Sequence, residues 1–78
     1  MQNYNELFGY AVKSVRKEKS LSQENLAELS GLSRAHVSRI ERFLYNPKLD
    51  TLFKVSNGLG IKLSELVILM EGRDSSLK

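Results

Sequence analysis

Apolar residues recur along this chain at helical rather than strand spacing. Leu7, Phe8, Ala11, Val12 and Val15 line one face, with Lys13, Arg16, Lys17 and Glu18 between or beyond them, so a first helix is predicted over about residues 5–18. Gly9 weakens it slightly, and Lys19-Ser20-Leu21 breaks it. Ser22 is placed to cap a second helix over 23–30, with Leu26, Ala27 and Leu29 turned inward and Ala27 small enough for another helix to approach closely. Gly31 ends that helix, since glycine takes the left-handed conformation without a side-chain clash, and Leu32 fills the turn. Ser33 caps a third helix over 34–42, whose inward pair is Val37 and Ile40. Phe43 to Lys48 reads as a loop, with Asn46-Pro47 as its turn signal. Leu49, Leu52, Phe53, Val55, Ser56 and Leu59 trace a fourth helix up to Gly58-Leu59-Gly60, and Leu63, Leu66, Val67 and Met70 stripe a fifth over 63–70.

The pattern predicts an all-α chain: a compact five-helix domain over 1–71 and a polar, flexible tail over 72–78. A length of 78 residues closes a single core and leaves none for a second. At 41% apolar and 27% charged residues the composition is that of an ordinary globular domain. The absence of cysteine excludes disulfides and thiolate metal sites. No apolar run approaches a membrane span, and the residues after Met1 do not resemble a signal peptide, so a cytoplasmic location is expected. The net charge of +3 permits nucleic-acid binding without arguing for it, because basic residues are spread along the whole chain. Placement therefore carries the case.

The third helix has too few apolar residues to be buried, and two short helices joined by Ser30-Gly31-Leu32-Ser33 outline a helix-turn-helix over about 22–42. A major groove about 12 Å wide admits one helix and exposes base edges to the residues near its N-terminus. Those residues are Arg34, Ala35, Ser38 and Arg39. Each arginine can donate paired hydrogen bonds to guanine, Ala35 can pack on a thymine methyl, and Ser38 is a less selective partner. Gln23, at the start of the second helix, is positioned to donate to phosphate, while Arg42, Asn46 and Lys48 flank the far end of the reading helix and can hold the opposite backbone. His36, the only histidine, is expected on the surface or beside phosphate rather than on a metal, and Tyr4 and Tyr10 at the edge of the core or an interface.

The segment from Leu21 to Arg42, together with Asn46-Pro47 and the run Leu59 to Leu66, resembles the helix-turn-helix family of the phage lambda and 434 repressors and Cro, the Xre-like regulators. The likeness extends from about Phe8 to Val67. It implies a lambda-repressor-like fold binding an inverted-repeat operator as a homodimer, with Gln23 on the DNA backbone and Arg34, Ala35, Ser38 and Arg39 facing bases. It also implies a structural salt bridge between Arg16 and Glu41. Three residues depart from the family pattern. Phe43 stands where glycine is usual, which predicts a different path for the loop 43–48, and Lys48 and Lys62 stand where Ser or Thr often caps the fourth and fifth helices.

A single short reading helix offers few base contacts, so two subunits reading half-sites about 34 Å apart are expected. Val67-Ile68-Leu69-Met70 is apolar around most of its circumference, and Leu66, Ile68 and Leu69 are the predicted dimer contacts. The function expected is transcriptional regulation of the kind carried out by Cro-like repressors or the controller proteins of restriction-modification systems. The alternative is a protein-interaction module, such as an antitoxin or sequestering partner on the same fold. No cofactor, metal or small-molecule ligand is expected. No catalytic motif is recognisable, so an enzyme is not expected.

Overall fold

A computed structural model describes residues 3–73, in the order α1 (Tyr4–Glu18), α2 (Gln23–Ser30), α3 (Arg34–Glu41), α4 (Leu49–Leu59) and α5 (Leu63–Arg73). Gly72 and Arg73 belong to α5 rather than to the predicted tail, and residues 74–78 of that tail lie outside the described residues. The helices wrap one core in which Phe8, Val12, Leu26, Val37, Ile40, Val55, Leu59 and Leu66 are almost completely buried.

Local chemistry sets the boundaries. Ser22 Oγ accepts from the amide of Asn25 at 2.9 Å, and Asn25 Oδ1 accepts from the amide of Ser22 at 3.1 Å, so both partners of a capping box are present. Ser33 Oγ accepts from the amide of His36 at 3.1 Å. Lys48 makes no side-chain cap for α4, whereas Glu65 Oε1 accepts from the amide of Lys62 at 2.8 Å, supplying half of a box at the start of α5.

The ends of α1 to α4 close alike. A left-handed residue follows each helix (Ser20, Gly31, Phe43 and Gly60, φ 59°, 73°, 65° and 71°), and the next amide donates back to a helical carbonyl. These bonds are Leu21 to Arg16, Leu32 to Ala27, Leu44 to Arg39 and Ile61 to Ser56, at 2.9–3.0 Å. Phe43 thus takes the positive φ for which glycine is usual, so its bulk does not bar the left-handed conformation there. Its ring lies 4.7 Å from that of Tyr10 and against Gly9, where a Cβ would come within 2.6 Å of both the ring and the Ile40 carbonyl. Gly9 therefore permits the close approach of α1 to the end of α3, which outweighs its small cost in helix propensity.

Not every apolar residue on the predicted stripes faces inward. Leu29 is 57% exposed, and Leu49 and Phe53 are also on the surface. α2 and α4 pack closely where Gly58 meets Ser30, and Leu29 and Phe53 lie outside the core.

Candidate nucleic-acid interface

The back of α3 is held by two means. Val37 and Ile40 are fully buried, and Glu41 at its last turn receives Arg16 of α1 through Nε at 2.6 Å and Nη2 at 2.9 Å. Arg16 also donates through Nη1 to the Leu21 carbonyl at 2.8 Å, so one guanidinium ties α1, the turn before α2 and the end of α3. The hydrogen bond to Glu41 raises the Arg16 pKa above its ordinary value despite the opposing effect of burial. The guanidinium therefore stays charged through the neutral range, and on the side of rising pH its contribution is lost only as the pH passes through that raised value. Gln23 Nε2 donates to Glu41 Oε1 at 3.1 Å, so the half-buried glutamine at the head of α2 is oriented by the same carboxylate.

The front of α3 is open. Arg34, Ala35 and Arg39 are exposed and Ser38 is half-buried, bringing the four predicted base-facing residues onto one short helix whose other side is core. Arg34 Nε lies 4.0 Å from Glu24 Oε1 of α2, an exposed pair worth little in water but one that sets a negative charge beside α3. Arg39 Nη2 donates to the Leu44 carbonyl at 3.3 Å. Of the predicted backbone contacts, Arg42 is the exposed C-cap of α3, Asn46 is exposed in the loop, and Lys48 is exposed at the N-cap position of α4.

His36 differs from its expected place. It is half-buried with its ring edge-on to Tyr45, centroids 4.6 Å apart, and the Tyr45 hydroxyl is 2.7 Å from that of buried Thr51. Together His36, Tyr45 and Thr51 pin the loop 43–48 between α3 and α4. Tyr45 and Glu24 carry no role in the sequence reading, because the contacts they make, to His36 and Thr51 and to Arg34, cross between elements. Phe43 was flagged only as a departure.

A second exposed surface lies on α5. Ile68 is 63% and Leu69 47% exposed, and both border a groove of about 470 Å³ shared with Tyr10, Ala11, Gly72 and Arg73. A neighbouring groove of about 310 Å³ lies between them and Val15, Lys19 and Ile61. Leu66, the third predicted dimer residue, is 0% exposed and belongs to the core, because α5 packs against α1 and α4 and that packing covers it. Among the described residues, no helix is long and apolar enough to cross a membrane.

The model of the helix-turn-helix family matches residues 12–66, most of the chain and both helices of the unit just described. The chain belongs to this Xre-like helix-turn-helix family. Membership makes it, in class, a DNA-binding transcriptional regulator. This Xre-like chain is 50% identical over 60 residues to the control protein C.MunI of a Mycoplasma species, covering 76% of the chain and 81% of that protein. It is 48% identical over 59 residues to the immunity repressor of Bacillus phage phi105, of which it spans 41%, with 76% of this chain covered. Among solved structures, the restriction-modification controller protein C.AhdI from Aeromonas hydrophila superposes with a TM-score of 0.75 at 40% identity, covering 80% of this chain and 94% of that one. The clp gene regulator ClgR from Corynebacterium glutamicum superposes with a TM-score of 0.89 at 27% identity over 96% and 97% of the two chains.

Proposed function

We propose that this protein is a sequence-specific regulator that binds inverted-repeat operator DNA as a homodimer, with α3 in the major groove. The observation that carries the reading is the division of α3: Val37, Ile40 and Glu41 are buried on one side, and Arg34, Ala35 and Arg39 stand in solvent on the other. Arg34 and Arg39 take guanine edges, Ala35 and Ser38 complete the base-facing surface, and Gln23, Arg42, Asn46 and Lys48 hold phosphates on either side. The Arg16–Glu41 pair ties the end of α3 to α1, and the Glu41 carboxylate fixes one side of the Gln23 amide, which supports a set orientation for that residue.

The second subunit docks on Ile68 and Leu69. Leaving two large aliphatic side chains in water on adjacent positions forgoes burial that a partner would supply, and the flanking grooves offer shape for an isologous contact. Similarity over most of C.MunI favours a controller-like regulator.

Selection from a random-sequence duplex pool tests the proposal. Wild type enriches a two-fold symmetric site, and the variant carrying Arg34→Ala and Arg39→Ala loses or relaxes it at the same salt concentration. Identical enrichment by both, or an asymmetric site, would refute the assignment of readers or of the dimer respectively.

A further inference from the structure

We infer that Phe43 is a positioning residue for Arg39: its ring, seated against Gly9 and Tyr10, holds the turn whose carbonyl orients the Arg39 guanidinium. The inference rests on the reading of α3 as the DNA-facing helix and goes beyond it, since Phe43 is not among the residues assigned to DNA.

The four helix ends that share one closure differ in how they are anchored. Leu21, Leu32 and Ile61, each following a left-handed residue, are partly buried and pack against the core, as is usual where a helix ends this way. Leu44 occupies the same place after Phe43 but is 52% exposed, so this end lacks the usual apolar anchor. The left-handed residue itself supplies it. Phe43 packs its ring 4.7 Å from Tyr10 and into space left by the missing Cβ of Gly9, and its carbonyl accepts from Asn5 Nδ2 at 3.4 Å. Tyr10 is backed in turn by Arg73, whose guanidinium carbon lies 3.6 Å from the ring centroid.

What this anchor holds in place is Leu44, and Leu44 is bonded to Arg39 in both directions. Its amide donates to the Arg39 carbonyl at 2.9 Å, and its own carbonyl accepts from Arg39 Nη2 at 3.3 Å. A guanidinium has five N–H donors, so one spent on Leu44 leaves four for a base edge and narrows the directions in which they point. Holding a long side chain before binding spares about 0.5–1.5 kcal/mol of ordering, which corresponds to about 2- to 12-fold in affinity. Glycine at position 43 would satisfy the backbone without seating anything against α1.

The test compares wild type with Phe43→Gly and Phe43→Tyr, each checked for folding by thermal melting, with Tyr10→Ala as a second way to remove the seat while residue 43 is unchanged. In the free protein, NMR relaxation of the Arg39 Nε–H reports its order. The inference expects it to fall in Phe43→Gly and Tyr10→Ala and to be kept in Phe43→Tyr. On the selected duplex, Phe43→Gly should weaken binding about 2- to 12-fold in wild type and less than about 2-fold when Arg39 is already alanine. An unchanged Arg39 order parameter, or equal weakening with and without the Arg39 side chain, would overturn it. If wild type enriches no duplex, the DNA-binding reading fails by itself and the relaxation measurement alone decides whether Phe43 orders Arg39.

Discussion

Helices α3 and α5 each bury one stripe and leave another in water, but they leave out opposite chemistry. α3 hides Val37 and Ile40 and exposes Arg34, Ala35 and Arg39; α5 hides Leu66 and Met70 and exposes Ile68 and Leu69. Exposed arginines keep their hydration until a phosphate or guanine replaces it, whereas exposed aliphatic side chains gain from any surface that covers them. The supports differ as well. α3 is tied from behind by a buried ion pair that also reaches Gln23, while the buried side of α5 is Leu66 and Met70 in the common core. A helix that must present charge at a set orientation is held directionally, and one that presents an apolar ridge needs only packing.

Removing the directional support has the largest expected effect. Glu41→Ala leaves Arg16 buried and uncompensated and should cost about 3–5 kcal/mol in denaturant unfolding, whereas replacing the pair by Met and Leu should be near neutral for stability. The same double replacement should still weaken operator binding, because Gln23 loses its acceptor; unchanged affinity would mean that the pair serves stability alone. Next comes the apolar face. Glu at both Ile68 and Leu69 should give a monomer by sedimentation, remove the dependence of the melting temperature on protein concentration, and lower operator affinity by about 10²–10⁴-fold as the second half-site stops being intramolecular. An unchanged mass would move the dimer elsewhere. Arg34→Ala or Arg39→Ala should each cost about 1–3 kcal/mol in discrimination at one base pair with mass and melting intact. Lys48→Ala should weaken all duplexes alike and reduce the logarithmic salt slope by about 1. Ser20→Gly belongs to neither face: it relieves a left-handed residue at the end of α1 and should raise stability by about 0.5 kcal/mol while leaving mass and DNA binding unchanged.

The comparison also explains how much could be read before the fold was seen. α2 runs from Gln23 to Ser30 as expected because its limits are encoded in adjacent residues, Ser22 with Asn25 at one end and Gly31 at the other. The opposed pairs Val37 with Ile40 and Arg34 with Arg39 made α3 readable for the same reason: polarity alternates sharply around it. α5 offers no such contrast, so its pattern groups Leu66 with Ile68 and Leu69 although α1 and α4 cover it. Helical spacing places Leu29 inward because it gives a face but not the neighbour that covers it. Phe43 was recognised as anomalous, yet the ring's seat on Gly9 and Tyr10, more than thirty residues earlier in the chain, had no local signal. The same separation hides Arg73 on Tyr10, which accompanies the extension of α5 beyond residue 70.

The most direct test of α3 as a reader of base edges replaces single guanines of the selected duplex with 7-deazaguanine, which removes one major-groove acceptor and leaves pairing intact. Wild-type binding should weaken about 5-fold or more at the guanines facing Arg34 and Arg39, and the Arg39→Ala protein should be indifferent to the change at its own guanine. Equal affinity of wild type for the normal and 7-deaza duplexes at every guanine would contradict the account.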